Sequence, residues 1–219
     1  MTDITVVIPV GPYEANVRWL RACLDSVAAQ THPAAGILLI DDQAHLCEDD
    51  YPEAVIWRTP WLSGVAHAFN FGVALAPTEL AVMLGSDDLL EPWCLEDCAR
   101  TWEATRDPLG YYSLDVRYLD TGETQSIACN AAMVSKSLWR HTGGFPVQAA
   151  VGAPDTMLLS IMMAARGAAG AIRRVRSDRG APYLYRQHAE TDTARNFWRL
   201  REPIAQVRDI LTRDWRPSA

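Results

Sequence analysis

Lysine is almost missing from this chain. Of its 20 basic residues only Lys136 is a lysine, and the formal net charge is -7. That net negative charge argues against a general nucleic-acid binder, whose affinity rests on neutralising phosphates. Long apolar runs are missing too: none approaches the roughly 18 residues that a membrane span needs. The five cysteines, Cys23, Cys47, Cys94, Cys98 and Cys129, lack zinc-ligand spacing. Cys94 and Cys98 fall four apart on an expected helix, where two small buried apolar residues are the simpler reading. No internal repeat, low-complexity segment or obvious linker occurs. The opening residues have neither a basic n-region nor a small-residue cleavage site, so the expected location is cytoplasmic.

What is present suits a folded α/β domain. The 219 residues are 49% hydrophobic and 21% charged, enough for one large core. The β-branched run Ile4-Thr5-Val6-Val7-Ile8-Pro9-Val10 reads as a first buried strand, and helical spacing predicts a helix over 16–30. Strands are expected at 36–40, 55–57 and 79–84, with a helix over 64–75 between the last two. Such alternation implies βαβ units and a parallel sheet. A helix is expected from Pro92 to about residue 105. Beyond it the pattern changes: an extended stretch at 110–119, a tight turn at 120–123 and a returning strand within 124–134 make the sheet mixed. A Gly-Gly-Phe-Pro loop at 143–146 precedes a helix opening near Pro154-Asp155, a late strand at 171–175 and an extended Tyr183-Leu184-Tyr185-Arg186. Residues Phe197, Leu200, Ile204, Val207, Leu211 and Trp215 form one helical stripe. That C-terminal helix is expected to pack on the domain, with a homodimer contact as the alternative.

Two of the expected strands end in adjacent acids, Asp41-Asp42 and Asp87-Asp88. Ligands bind at the C-terminal edge of open α/β sheets. Paired carboxylates there can hold a hard cation, which in turn can hold a diphosphate. The plainer reading is local: Asp88 or Glu91 caps a helix whose first residue is Pro92, and Asp41 is a turn residue.

Several stretches, in order, resemble the family 2 glycosyltransferases. Val6-Val7-Ile8-Pro9-Val10 resembles the family's opening strand, and residues 24–31 its "L-x-S-x-x-x-Q-T" helix end. Leu39-Ile40-Asp41-Asp42, the 64–72 segment (G-x-x-x-A-x-N-x-G), Gly85-Ser86-Asp87-Asp88, Gly143-Gly144-Phe145, Asp155 and Tyr185-Arg186-Gln187-His188 follow in the family's order. The likeness covers about residues 4–190. It implies a GT-A fold: a Rossmann-like, mixed but mostly parallel central sheet flanked by helices. Domain 1–195 would divide into a nucleotide-binding half, 1–105, and an acceptor or catalytic half, 106–195, with the C-terminal amphipathic helix in 196–219.

The resemblance also implies an activity: metal-dependent, inverting transfer of a sugar from a nucleoside diphosphate, a UDP-sugar first, to a hydroxyl on a protein side chain or glycan. Pro9, Val10 and Tyr13 would meet the nucleobase, and Asp41 the uracil N3–H or the ribose. Asn70 would hold a loop or a sugar hydroxyl. Ser86 and Asp87 would contact ribose or sugar. Asp88 would coordinate Mn²⁺ or Mg²⁺, with His188 as a further ligand, and Asp155 would be the general base. Trp61, Trp93, Trp139 and Phe145 could line an acceptor groove, although core packing is the default. Two positions depart from the family pattern: Gly85 replaces the first acid of the metal motif, and Pro154 precedes Asp155 where the family has Glu. A catalytically impaired sugar-nucleotide or partner-protein binder is the first alternative. A nucleotidyltransferase is the second, disfavoured because Gly11-Pro12-Tyr13-Glu14 is neither glycine-rich nor basic.

Overall fold

A computed structural model describes residues 1–126, 131–145 and 172–188. Strand β1, Ile4–Val10, is buried along its whole length. It lies inside a seven-stranded sheet between β2, Gly36–Asp41, and β4, Leu80–Met83. Beyond β2 lies β3, Val55–Arg58. These four strands run parallel in the order β3-β2-β1-β4. The direction of strand addition therefore reverses at β1, which opens a crevice at its C-terminal end. Pro9 is tolerated inside β1 because odd residues of this strand face β4, as the Leu84 N–H to Val7 carbonyl bond shows. The β4 register ends opposite Val7, so the donor that Pro9 lacks has no strand to meet.

The other half of the sheet is mixed, as the pattern after residue 105 implies. Strand β9, Ala132–Ser135, pairs antiparallel with both β4 and β6, Tyr111–Leu114. Strand β10, Ile172–Val175, closes that side parallel to β6.

Helices cover both faces. Helix α2, Leu20–Ala28, and α4, Cys94–Thr105, bury Leu20, Leu24, Cys94 and Cys98 against Ile4, Val6 and Ile8. On the opposite face α3, Val65–Leu75, and α5, Lys136–Thr142, bury Ala68, Val73, Leu138 and Trp139 against Val7, Ile40 and Met83. Cys94 and Cys98 are thus the buried pair expected.

A second, four-stranded sheet crosses the C-terminal edge. Its order is β5-β11-β7-β8, from Leu89–Leu90, Tyr183–Tyr185, Val116–Tyr118 and Thr124–Gln125. Only Asp115 separates β6 from β7, so the chain passes from one sheet to the other within a single residue. Strand β11 pairs with β5, directly after Asp87-Asp88, and so carries the 183–188 segment back to that motif.

Four element expectations need correction. The helix at 16–30 is two helices, α1, Glu14–Arg18, and α2, interrupted at Trp19 (φ -96, ψ -8). Apolar spacing runs on through the break, which is why the pattern hid it. Helix α4 starts at Cys94 with Trp93 as its N-cap residue, so Pro92 lies before the helix, and Asp88 and Glu91 do not cap it. Helix α5 occupies residues 136–142, to which the sequence pattern assigned no element. The returning strand reduces to β8 and β9 among the described residues. The expected helices near Asp155 and over 196–215 lie outside those residues.

Candidate active site

The site forms where β1, β2 and β4 end together. Strand β4 hands the chain to Gly85-Ser86-Asp87-Asp88, and its two acids turn in different directions. Asp87 Oδ2 lies 2.9 Å from His188 Nε2, with 18% of the Asp87 side chain and 21% of the His188 side chain exposed. Asp88 is 3% exposed. Its Oδ2 accepts from the Tyr183 hydroxyl at 2.7 Å and its Oδ1 from the Arg186 backbone N–H at 2.8 Å. Burial, then the charge of Asp87, pushes the Asp88 carboxyl up to about 8, against the lowering effect of those two hydrogen bonds and of the nearby Arg186 charge. Asp88, expected as the metal ligand, therefore ties β11 to the motif from behind. Asp87, expected on ribose or sugar, is the acid that meets His188.

Tyr183 completes that anchor. Its hydroxyl accepts the Gly85 N–H at 3.0 Å while donating to Asp88. The Gly85 position is filled by its neighbours. A Cβ there would come within 2.6 Å of Asp88 Oδ2 and 3.0 Å of Asp87 Oδ1. The missing first acid of the motif thus follows from packing: this arrangement of the two carboxylates requires glycine. Ser86, 2% exposed, has a buried Oγ with no hydrogen-bond partner among the described residues. Below the motif the Cys23 thiol points at the Gly85 carbonyl, 3.5 Å away. Burial, then the charges of Asp88 and Asp87, raise its pKa well above the usual thiol range, which leaves it protonated and inert.

Arg186 and Trp19 are the two residues that motif reading passed over. Arg186 Nε donates to the Asp87 carbonyl at 2.9 Å, and its guanidinium lies 3.9 Å above the centre of the Trp19 ring. The only hint in the sequence was the arginine in Tyr185-Arg186-Gln187-His188. Trp19 stands off the apolar stripe of its helix and carried no signal.

The acids at the end of β2 are spent on local structure. Asp41 is 1% exposed and accepts the backbone N–H groups of Ala44, His45 and Leu46 at 2.7–3.1 Å. Arg58 stands 3.4 Å from it. The turn-residue alternative describes this carboxylate as it stands. Asp42 accepts from the Thr59 and Ser63 hydroxyls and from the N–H groups of Ser63 and Gly64, fixing the loop that opens α3. Pro9 and Val10 are buried, and the Val10 carbonyl accepts the Asp42 N–H at 2.8 Å. Tyr13, 47% exposed, stands one turn beyond, at the start of α1.

Asn70 takes the loop-holding option. Its Nδ2 donates to the Phe145 carbonyl at 2.9 Å and its Oδ1 accepts the Phe145 N–H at 2.8 Å. Gly144 has φ 78, and a Cβ on it would come within 2.4 Å of Asn70 Oδ1, so only glycine fits. The pair fixes the root of the segment leading to Asp155, which itself lies outside the described residues. Trp139 and Phe145 are 7% and 4% exposed and belong to the core, whereas Trp61 is 67% exposed.

For a divalent cation the described residues offer Asp87 and His188; among them no group of three potential ligands occurs. Two protein ligands suit an ion whose remaining positions are filled by substrate phosphates and water.

An α/β sheet that reverses at β1, with its acids at the C-terminal edge, defines a nucleotide-binding type of fold. Residues 5–157 match the model of Glycosyl transferase family 2; the chain belongs to that family and is a glycosyltransferase of the GT-A fold. Similar solved structures include TarS of S. aureus. Its residues 1–349 in complex with UDP superpose with a TM-score of 0.66 at 18% identity, over 98% of this chain and 67% of that one. The same fragment in complex with UDP-GlcNAc gives 0.69 at 16%, over 96% and 65%. A further TarS structure gives 0.67 at 16%, over 98% and 41%. The chain thus spans between two fifths and two thirds of these proteins. No curated protein matches the sequence. No helix among the described residues is long and apolar enough to cross a membrane.

Proposed function

We propose that the protein transfers a sugar from a nucleoside diphosphate sugar to a hydroxyl acceptor with inversion. The nucleotide to try first is UDP, and UDP-GlcNAc, the ligand in one TarS complex, is the first donor to test. The observation that carries this reading is the meeting of Asp87 and His188 at the C-terminal edge of β4, on the crevice where such folds take nucleotides. Asp87 and His188 would hold Mn²⁺ or Mg²⁺, which supplies a positive charge for the diphosphate oxygens. Asp88, Tyr183 and Gly85 position that pair. Tyr13 would border the base, and the buried Ser86, Pro9 and Val10 would shape the floor beneath the nucleotide. Asp41 would act through the shape of the 42–46 loop.

Asp155 is the proposed base. The acceptor oxygen attacks the anomeric carbon as the bond from that carbon to the phosphate oxygen breaks. The hydroxyl proton goes to the Asp155 carboxylate and the nucleoside diphosphate departs. Acceptors of the protein-side-chain or glycan type fit this chemistry equally.

The test is calorimetric titration of UDP with and without Mn²⁺, on the wild type and on Asp87→Asn. Metal-dependent binding that the variant loses supports the site. Absence of binding by UDP, GDP and dTDP alike overturns the donor reading and leaves a GT-A fold kept for another task.

A further inference from the structure

We propose that Arg186 is a fixed cation for the departing diphosphate and that Trp19 is the platform presenting it. The proposal rests on the donor-site reading above, which does not assign either residue. Three contacts hold Arg186 in place. Its backbone N–H is bound to Asp88 Oδ1, its Nε to the Asp87 carbonyl, and its guanidinium face lies on Trp19. None of the three neutralises it.

The contrast with other arginines is instructive. Arg58, Arg117, Arg174 and Arg179 each reach a carboxylate within 3.0 Å. Arg186 sits beside two carboxylates and pairs with neither: Asp87 turns to His188, and Asp88 to Tyr183 and the Arg186 backbone. The guanidinium takes a carbonyl instead. Among the described residues its two terminal nitrogens have no hydrogen-bond partner.

Stacking explains how the charge can be both fixed and free. A ring beneath the guanidinium engages its face and leaves the N–H groups along its edge directed outward. Those N–H groups form the planar fork that matches two phosphate oxygens. The position is also right, since Arg186, just past β11, bonds to the Asp87 carbonyl in the motif loop, where the diphosphate is expected. The interruption between α1 and α2 falls on Trp19 itself, so the local departure from helix and the platform coincide. As the bond to the sugar breaks, negative charge grows on the leaving diphosphate, and a preorganised cation gains interaction at that moment.

The experiment compares UDP with uridine, which shares the base and ribose but lacks phosphate. UDP is titrated by calorimetry, and uridine by ligand-observed NMR, into the wild type, Arg186→Gln, Arg186→Lys and Trp19→Leu. Arg186→Gln should weaken UDP by roughly ten- to a hundredfold, the range of a charge-assisted hydrogen bond, and leave uridine unchanged. Arg186→Lys should recover part of the loss, and Trp19→Leu should weaken UDP several-fold with uridine again unchanged. A purely structural clamp would weaken both ligands together, and that result, or unaltered UDP affinity, overturns the proposal. If Arg186→Gln fails to fold, Arg186→Lys and Trp19→Leu decide by the same ratio. Wild-type protein that binds no nucleoside diphosphate would fail the donor reading itself, whereas wild-type binding with an indifferent Arg186→Gln would fail this inference alone.

Discussion

One hydroxyl, that of Tyr183, satisfies the Gly85 N–H and the Asp88 carboxylate at once. Tyr183→Phe keeps the ring and leaves both groups buried without it. The cost should be about 2–4 kcal/mol, one unmade hydrogen bond at each group, read as a lower urea midpoint with unchanged m-value. UDP affinity should fall with it, because His188 and Arg186 lose their anchor. Tyr112 offers a test of pH dependence. Burial is the main cause that raises its pKa above the usual 10. The folded protein therefore holds that proton more tightly than the unfolded chain. The associated stability is present below pH 10 and is lost as the pH rises through the raised value. Unfolding free energy measured from pH 9 upward should fall more steeply for the wild type than for Tyr112→Phe. At this scale the acid pairs were legible as sites of interest, since each follows an apolar run. Which of the two neighbouring carboxylates turns inward was not, because adjacent residues carry no record of what packs behind them.

Helix α5 illustrates the element scale. Its N-cap is Ser135, whose hydroxyl accepts the Leu138 N–H at 2.9 Å and donates to the Pro108 carbonyl. Ser135→Ala should lower stability by about 1–2 kcal/mol, measured by urea unfolding, with UDP affinity retained. The sequence held that cap but only seven helical residues after it, too short a stretch for periodicity to register. The motif around Ser26 and Gln30 has an element-level purpose as well. Gln30 is 7% exposed; it donates to the Ser26 and Glu91 carbonyls and accepts the Leu95 N–H, and Ser26 Oγ accepts the Leu90 N–H. It joins the end of α2 to the start of α4. Motif and helix end were visible in the chain; the partner, some 60 residues away, was not.

At the scale of the whole molecule the decisive feature is the small second sheet. It returns residues 183–188 to a motif nearly a hundred positions earlier, and it makes the candidate site from both halves of the chain. A ligand that binds the folded site must stabilise the whole domain. UDP with Mn²⁺ at about a hundred times the dissociation constant should add about 2.7 kcal/mol, seen as a rise in melting temperature. Asp155→Asn should keep that rise while abolishing sugar transfer, and Asp87→Asn should lose it. Transfer by Asp155→Asn at the wild-type rate would remove Asp155 as the base.

The strands β1 to β4, their parallel direction and the placing of two acid pairs at one edge were readable from local pattern. Buried strands announce themselves as apolar runs, and the short-range alternation of strand and helix constrains the crossovers. The inward turn of Asp88, with the room it leaves at position 85, and the stacking of Arg186 on Trp19 were decided by tertiary structure. Both contacts join atoms about a hundred residues or more apart in the chain, where a carboxylate finds a hydroxyl and a guanidinium finds a ring. No local pattern encodes which side chain will be waiting there.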